Sequence, residues 1–385
     1  MKVLYDSIVF TSQRFGGVSK CFCELIANRP PEFEYEIAIK SCNNTHLLQS
    51  GLVKDLHKAK LDSGIFCSKI GNIRGARRLY SLLQHVPFFN CAEKEGLKCT
   101  IAALKRGNYD VFHSTTINNT FFYKYLNGKP FVYTVHDMTQ ERLPQFFGAN
   151  CKITALKRDL CKHASAIVAV SERSKKDLME LFGVPERKIT VVYHGGPQPV
   201  KIKDEPLIKG EYFLFVGQRF IYKNFIKTLE DFSNFYTNHK DVKLVCTGYP
   251  FNSKEQELID KLNIQNAVIQ KRVSDYELKN LFNYAIALIY PSLYEGFGMP
   301  TLEAFAQGCP CLLNNNSCFP EVGGDAAFYF ESDGINSNLP SVMEEVYNMN
   351  SQERLKVIQK GYEQLNKFSW KEAAKKLFSV YKSII

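Results

Sequence analysis

The sequence predicts an α/β protein built from two doubly wound, parallel-sheet domains. Three observations support this fold class. Short β-branched strands alternate with helical stretches along the chain, an aperiodic proline-rich stretch interrupts this alternation near its middle, and 385 residues exceed what one domain usually holds. Several strands are continuously apolar, as expected where helices cover both faces of a sheet. Two such domains would enclose a cleft.

The first half contains six predicted strands with helices between them. The strands are short runs rich in Val, Ile and aromatic residues, namely KVLYDSIVF, YEIAIK, YDVFHST, FVYTVHD, AIVAVS and ITVVYHG. Helices are predicted at VSKCFCELIANRP and SERSKKDLMELFG. In the second helix, Ser174 and Asp177 predict the start and Gly183 the end. We therefore expect a first domain at residues 1–196.

Residues 197–210, PQPVKIKDEPLIKG, predict a linker because they combine three prolines with several charges and lack periodicity. The alternation then restarts with the strands YFLFVG, VKLVCTG, AVIQ, IALIYPS and PCLLNN. We expect a second domain at residues 211–367. The last segment, residues 368–385, is predicted to be a helix that crosses back to the first domain.

Composition narrows the class of protein. No apolar run approaches the roughly 20 residues that cross a bilayer, and the start MKVLYDSIVF is predicted to be a strand and not a signal peptide. We therefore expect a cytoplasmic protein. The 12 cysteines are dispersed without a C-x-x-C pair, so we expect reduced thiols and no metal site.

The net positive charge comes from the first half of the chain. Residues 1–200 hold 28 basic and 17 acidic residues, whereas residues 201–385 hold 21 and 22. A one-sided basic domain indicates an anionic partner, and without a nucleic-acid-binding motif we do not expect nucleic acid. Residues 69–89 are predicted either to lie on an anionic membrane or to cover the sheet as an ordinary amphipathic helix. Their basic and apolar positions are Arg74, Arg77, Arg78, Leu79, Leu82, Leu83, Phe88 and Phe89.

Residues 294–310, YEGFGMPTLEAFAQGCP, join a glycine-containing loop to a helix. The loop is predicted to hold Glu295, and the helix, with Pro300 in its first turn and Gly308 at its end, to hold Glu303. The glycines let backbone N–H groups approach a ligand, and the N-terminal end of the helix favours phosphate. Carboxylates do not bind anions, so the two glutamates are predicted to accept hydrogen bonds from the two hydroxyl sets of a nucleotide sugar.

Other candidate residues follow predicted strands, where ligands bind in open parallel sheets. In LFVGQRFIYKN, Arg219 and Lys223 are two cations at one strand end, which predicts neutralisation of a diphosphate. His136 ends the strand FVYTVHD, and we expect it to face the site, although a histidine at such a rim is often only structural.

These motifs together resemble a known family. VGQRFIYKN, YPSLYEGFGMPTLEAFAQGCP and PEVGGDAAFYF, in this order and spacing, are similar to the retaining glycosyltransferases of family 4, whose GT-B fold has two Rossmann-like domains. Glu295 and Glu303 match the family's Glu-x7-Glu signature. The similarity extends from QRFGGVS through YTVHDM to FSWKEAAKKLFSVY. The form Arg-x-x-Tyr-Lys-Asn resembles bacterial enzymes of O-antigen, capsule and lipopolysaccharide assembly.

The resemblance implies roles for individual residues. Glu295 would hold a hydroxyl of the donor sugar and Glu303 the ribose, while Arg219 and Lys223 would bind the diphosphate. His136 would face the sugar near its anomeric carbon. Backbone of the donor site would come from Gly16, Gly17, Gly248, Phe297 and Gly298. The chain departs from the family pattern at His194-Gly195-Gly196 and at Tyr249-Pro250, which bear on hinge geometry and base recognition.

The expected function is retaining, metal-independent transfer of a hexose from a nucleoside-diphosphate sugar, with GDP or UDP favoured as the nucleotide. In such enzymes the first domain binds the acceptor, so the basic excess points to a glycan acceptor, lipid-linked at the inner membrane face. Same-face attack is expected, because a double displacement needs a carboxylate nucleophile for which the sequence offers no clear candidate. The alternative is a non-catalytic partner that binds a sugar nucleotide or scaffolds a membrane-associated glycan assembly.

Overall fold

The structure is a computed structural model that describes residues 1–69, 75–83, 86, 89, 91–116, 120–148 and 151–385. The strands within these residues are β1 (Lys2–Tyr5), β2 (Glu34–Ile37), β3 (Ser41–Cys42), β4 (His57–Lys58), β5 (Val111–Ser114), β6 (Phe131–Val135), β7 (Ala166–Ala169), β8 (Ile189–Val191), β9 (Tyr212–Phe215), β10 (Lys243–Thr247), β11 (Val268–Lys271), β12 (Ala287–Tyr290), β13 (Cys311–Asn314) and β14 (Phe328–Phe330).

Helices connect these strands. They are α1 (Ile8–Ser12), α2 (Gly17–Ala27), α3 (Thr45–Ser50), α4 (Ser63–Lys69), α5 (Ala76–Leu83), α6 (Ala92–Arg106), α7 (Thr139–Arg142), α8 (Pro144–Phe147), α9 (Lys152–His163), α10 (Glu172–Phe182), α11 (Phe225–Tyr236), α12 (Ser253–Lys261), α13 (Asp275–Tyr284), α14 (Met299–Ala306), α15 (Phe319–Gly323), α16 (Leu339–Tyr347), α17 (Ser351–Leu365) and α18 (Trp370–Lys382). Single 3₁₀ turns occur at Phe121–Tyr125, Glu186–Lys188, Ile221–Lys223 and Gly324–Ala326.

The described strands form two six-stranded parallel sheets and a small two-stranded sheet of β3 and β4. The strand orders are β2-β1-β5-β6-β7-β8 and β11-β10-β9-β12-β13-β14. In each large sheet the order in which successive strands are added reverses at one point, between β1 and β5 in one domain and between β9 and β12 in the other. A crevice opens at the carboxyl ends of the strands at this point. The predicted fold class, two doubly wound parallel-sheet domains, is confirmed. We call the two units the N-domain and the C-domain.

The last helix packs against the N-domain. Residues 197–210 contain no helix or strand, and α18 follows the C-domain elements but joins the core around β1 and α2. The Phe378 ring lies 4.6 Å from the Phe33 ring, and the Tyr381 hydroxyl lies 3.0 Å from that of Tyr5 and 2.6 Å from Nδ1 of His113. The end of the chain therefore completes the N-domain core, although its sequence follows the other domain.

The first predicted strand is too long. KVLYDSIVF forms a strand only to Tyr5, and Ile8–Ser12 is a helix. The cause is the buried side chain of Asp6, whose carboxylate accepts hydrogen bonds from the Ile8 N–H at 2.9 Å and the Thr115 N–H at 3.0 Å. Burial raises the pKa of Asp6, and these hydrogen bonds oppose that rise. Asp6 thus turns the chain out of the sheet into α1.

The start of α10 also differs from the prediction. Its N-cap is Ser171, whose hydroxyl accepts a hydrogen bond from the Ser174 N–H at 3.0 Å. Asp177 lies fully buried further along the helix and pairs with Arg142 and Arg173. The predicted end is confirmed, because Gly183 takes the left-handed conformation with φ of 66°. Asp177 is therefore a tertiary contact and not part of a helix start signal.

The segment proposed for membrane contact lies partly outside the described residues. Residues 70–74, 84–85, 87–88 and 90, with Arg74 and Phe88 among them, are not described, nor is the side chain of Arg77. Within the described part, Leu79 and Leu82 on α5 are 48% and 70% exposed. Among the described residues, no helix combines the length and apolar character that crossing a membrane requires.

Candidate functional site

The predicted C-domain loop forms as expected. Glu295 follows β12 in a loop, and α14 starts at Met299 with Pro300 in its first turn. Gly298 caps this helix with φ of 82°, a left-handed conformation that favours glycine, and a Cβ there would lie 3.2 Å from the Phe319 ring. The N-terminal end of α14, whose dipole favours an anionic group, therefore lies between Glu295 and Glu303 along the chain.

Glu295 forms an ion pair with Lys223. The Lys223 ammonium donates to Oε1 of Glu295, and the two side chains are only 19% and 14% exposed. Lys223 ends the 3₁₀ turn after β9, and Glu295 follows β12, so neighbouring strands of the sheet bring the pair together. The predicted sugar-binding carboxylate and the predicted phosphate-binding cation thus lie in direct contact at the crevice of the C-domain.

Glu303 also contacts a lysine, but from the other domain. Nζ of Lys20, in the first turn of α2, lies 2.8 Å from Oε1 of Glu303, and the side chains are 28% and 23% exposed. Burial alone lowers the pKa of Lys20, but the Glu303 carboxylate raises it above the usual lysine value. The sequence analysis did not select Lys20. Its only signal was its place three residues after the Gly16-Gly17 pair, in the first turn of the predicted helix.

Arg219 occupies a different environment from Lys223. Its Nε donates to Glu255 at 3.0 Å, and its Nη2 donates to the carbonyl oxygens of Tyr249 and Pro250 at 2.6 and 2.9 Å. The guanidinium lies 5.2 Å from the centroid of the Phe225 ring and 4.9 Å from that of Phe251, and the side chain is 5% exposed. In this structure Arg219 therefore holds the loop after β10 in place.

Gly248 belongs to the loop that Arg219 holds. Its φ is +111°, and a Cβ at this position would lie 2.9 Å from the carbonyl oxygen of Gly217. Gly217 itself follows β9, so the loops after β9 and β10 touch through their backbones at the rim of the sheet. A side chain at Gly248 would separate them.

His136 lies where the N-domain meets the C-domain loop. Its Nε2 is buried and has no hydrogen-bond partner within the described residues. Burial lowers the pKa of His136 to about 4, which keeps the imidazole neutral at neutral pH. A Cβ at Gly296 would lie 1.8 Å from the His136 carbonyl oxygen, so the two backbones are in contact. An unpaired polar nitrogen beside the glutamate loop is suited to a hydrogen bond with a ligand.

The side chain of Phe297 packs into the apolar junction of the two domains. It is buried, and its ring lies 4.8 Å from that of His194 and 5.7 Å from that of Phe368. Gly195, which follows His194, contacts the backbone of Trp370. A Cβ at Gly195 would lie 2.3 Å from the Trp370 backbone nitrogen, so a larger residue would not fit there. The departure from the family pattern at this point therefore accommodates the start of α18.

The loop before α2 supplies Gly16 and Gly17. A Cβ at Gly16 would lie 2.2 Å from Oε1 of Gln13, whereas one at Gly17 would meet no atom of the described residues within 4 Å. The carbonyl oxygen of Gly16 accepts a hydrogen bond from the Ser19 hydroxyl at 3.0 Å, and Gln13 accepts from the Ser19 N–H at 3.3 Å. These bonds hold the first turn of α2, and with it Lys20, toward the C-domain.

Further hydrogen bonds join the domains beside this cleft. The Ser171 hydroxyl donates to the carbonyl oxygen of Gly296 at 2.7 Å, and the Tyr294 hydroxyl donates to the buried Asp177 carboxylate. The Glu321 carboxylate accepts from the N–H of Glu172 at 2.7 Å, at the N-terminus of α10, where a negative charge is favourable. Sequence reasoning missed these pairs because their partners are more than 100 residues apart.

Two parallel-sheet α/β domains that face each other across a junction define the GT-B fold. Family models match both halves of the chain. The model for glycosyltransferase family 4 matches residues 52–195, and the model for glycosyl transferases group 1 matches residues 200–364. The chain belongs to the glycosyltransferases that these two models describe.

Individual relatives agree with this assignment. The O-antigen chain mannosyltransferase RfbU of Salmonella typhimurium is 30% identical over 204 residues, which are 52% of this chain and 56% of that protein. An uncharacterized glycosyltransferase of Methanocaldococcus jannaschii is 24% identical over 87% of this chain and 92% of its own length. Anabaena HepE, solved with UDP and glucose, shares the fold at a TM-score of 0.73, with 14% identity and 99% of both chains covered.

Proposed function

We propose that this chain is a retaining glycosyltransferase that moves a hexose from a nucleoside-diphosphate sugar to a glycan acceptor, lipid-linked, in bacterial surface polysaccharide assembly. The observation that carries the proposal is the arrangement around the start of α14. Glu295 and Glu303 flank the N-terminal end of this helix, each glutamate touches a lysine, and Nε2 of His136 is buried without a hydrogen-bond partner among the described residues. Sugar hydroxyls, ribose hydroxyls and a diphosphate would each find complementary groups there.

The donor would lie across this arrangement. Glu295 would accept hydrogen bonds from the hexose and Glu303 from the ribose, while Lys223 and the start of α14 would contact the diphosphate. Gly16, Gly17, Gly298 and Gly248 are proposed to let backbone approach the donor. Arg219 would act on the donor through the loop that it orders, or by leaving Glu255 to reach the diphosphate.

The reaction would proceed through charge separation at the anomeric carbon. The bond from that carbon to the diphosphate oxygen breaks, and the acceptor oxygen bonds to the carbon from the same face. The acceptor proton passes to the departing phosphate oxygen. Lys223 would stabilise the developing phosphate charge, so the chain itself supplies a cation and we propose that no metal is required. A neutral His136 would accept or donate a hydrogen bond at the sugar without adding a second positive charge.

The relatives favour a mannosyl donor. The matched proteins from Salmonella typhimurium and Escherichia coli are O-antigen mannosyltransferases, and HepE was solved with UDP and glucose. We therefore favour GDP or UDP as the nucleotide and propose action in the cytoplasm, at the inner membrane face. Leu79, Leu82 and Arg78 are exposed on α5, which supports a peripheral membrane contact.

A binding and hydrolysis assay tests the proposal. The purified chain is titrated with GDP-mannose, UDP-glucose, dTDP-glucose and ADP-glucose, and donor hydrolysis is followed without acceptor. We expect one nucleotide class to stabilise the protein and its sugar to be released slowly with retained configuration. Lys223→Met should weaken binding at least tenfold, whereas Lys201→Met, an exposed control in residues 197–210, should not change it.

Two results would contradict the proposal. Binding without any donor turnover, with or without a lipid-linked glycan, would indicate the alternative, a non-catalytic sugar-nucleotide-binding partner. Equal loss of binding in Lys223→Met and Lys201→Met would place the nucleotide outside the cleft described here.

A further inference from the structure

The ion pair between Lys20 and Glu303 joins two domains at a position that a nucleotide sugar would need. Glu303 is the carboxylate proposed to hold the ribose, and Lys20 approaches it from α2 of the other domain, at 2.8 Å. Both side chains are more than two-thirds buried. The pair is therefore partly shielded from solvent, and screening by water weakens it less than an exposed surface pair.

The pair keeps hydrogen-bonding capacity on both sides. Lys20 contacts only Oε1 of Glu303, and within the described residues no hydrogen bond reaches Oε2. The ammonium carries three N–H donors, of which Glu303 uses one. Among the described parts of the chain, one unoccupied acceptor and two unoccupied donors thus lie next to each other at the junction of the domains.

The position of Lys20 is built into the N-domain. The Gly16 carbonyl, the Ser19 hydroxyl and the Gln13 side chain hold the first turn of α2. Other titratable groups near the ammonium are Glu24 on the same helix, Asp275 at the start of α13 and His46 on α3. Burial lowers the pKa of His46, and the positive charge of Lys20 lowers it further. Lys20 is therefore the dominant cation at this point.

We propose that Lys20 is the N-domain half of the ribose site and that it determines selectivity for ribonucleotides. A ribose hydroxyl would donate to Glu303 while the neighbouring hydroxyl accepts from Lys20, so that a vicinal diol bridges the two domains. A deoxyribose lacks one of these hydroxyls and leaves either the carboxylate or the ammonium without its ligand partner. The inference rests on the proposed function, because it requires a nucleotide in the cleft.

The test compares ligands that differ by one hydroxyl. Dissociation constants are measured calorimetrically for GDP and UDP and for their 2′-deoxy and 3′-deoxy forms, with the wild-type chain and Lys20→Met. We expect Lys20→Met to bind the ribonucleotide about tenfold more weakly, as for loss of a hydrogen bond to a charged group. The deoxy form that lacks the contacted hydroxyl should bind both proteins within about twofold. Lys20→Arg keeps charge and donors, and should retain most of the ribonucleotide affinity.

The outcomes separate the inference from the function on which it rests. If the wild-type chain binds none of these nucleotides, the proposed function is wrong and the inference falls with it. If the wild-type chain binds but Lys20→Met weakens all three forms equally, or none, Lys20 does not contact the ribose and the inference alone is wrong. Thermal melting of each variant shows whether it is folded, and Lys20→Leu provides a second substitution without a donor and with the same expected pattern.

Discussion

Gly296 is the position at which one added methyl group should have the largest effect. In Gly296→Ala, the new Cβ would lie 1.8 Å from the His136 carbonyl oxygen, 2.8 Å from the His136 carbonyl carbon and 3.0 Å from Cα of Asp137. All three contacts are with backbone, which has no rotamer by which to move away. The loop that carries Glu295 must then retreat by about 1.5 Å to reach van der Waals distance.

The displacement of this loop sets the expected loss of stability and of donor turnover. Overpacking of this kind costs about 1 to 3 kcal/mol, and loss of the 2.7 Å hydrogen bond from the Ser171 hydroxyl to the Gly296 carbonyl adds about 1 kcal/mol. We therefore expect the free energy of unfolding to fall by about 2 to 4 kcal/mol. Because Glu295 moves with the loop, donor turnover should fall by about two orders of magnitude, as is usual for a 1 Å misplacement in an active site.

Thermal melting by circular dichroism and donor hydrolysis measure the two effects. Gly64→Ala is the matched control, since Gly64 lies outside the site and its Cβ would meet, among the described residues, only the Asp62 carboxylate oxygen within 4 Å, at 3.3 Å. This control should melt within a degree or two of the wild-type chain and turn over donor at the same rate. A Gly296→Ala protein with wild-type melting and wild-type turnover would refute the backbone contact between His136 and Gly296 and the domain arrangement that depends on it.

Two further predictions concern buried charge. Arg219→Met leaves the Glu255 carboxylate buried without its cation, so the free energy of unfolding measured by chemical denaturation should fall by about 3 kcal/mol or more. The control Arg187→Met removes an exposed arginine and should leave this free energy unchanged. Equal denaturation midpoints for the two variants would contradict the buried ion pair. The second prediction concerns three imidazoles whose pKa burial lowers to about 3, 4 and 3, those of His113, His136 and His194. Each neutral, buried imidazole contributes fully to the stability of the folded protein above the unfolded histidine pKa of about 6.5. As pH falls from 6.5 toward 4, protonation of the unfolded chain should lower the free energy of unfolding by about 1.4 kcal/mol per pH unit for each histidine. Urea midpoints that stay constant from pH 6.5 to 4.5 would contradict this prediction.

The local elements of the fold could be predicted from the sequence. The alternation of apolar strands with helices is a local pattern, and so are the start of α14 at Pro300 and the end of α10 at Gly183. The two wrong predictions, the length of β1 and the start of α10, came from considering only neighbours in the sequence. Asp6 and Asp177 were assigned from their neighbours in sequence, whereas their contacts are with Thr115 and with Arg142, on distant segments.

The sequence by itself determined the loop and helix that carry Glu295, Gly298 and Glu303 in the candidate site, because the local geometry of these elements follows from the spacing of their residues. Only the tertiary structure decided what these groups contact. Lys20 reaches Glu303, and His136 meets Gly296, through the packing of two domains. The same packing of distant segments buries Arg219 against Glu255, although its spacing to Lys223 suggested a shared role. The physical reason is that spacing along a chain specifies neighbours within an element, whereas burial and charge pairing between elements depend on how they pack.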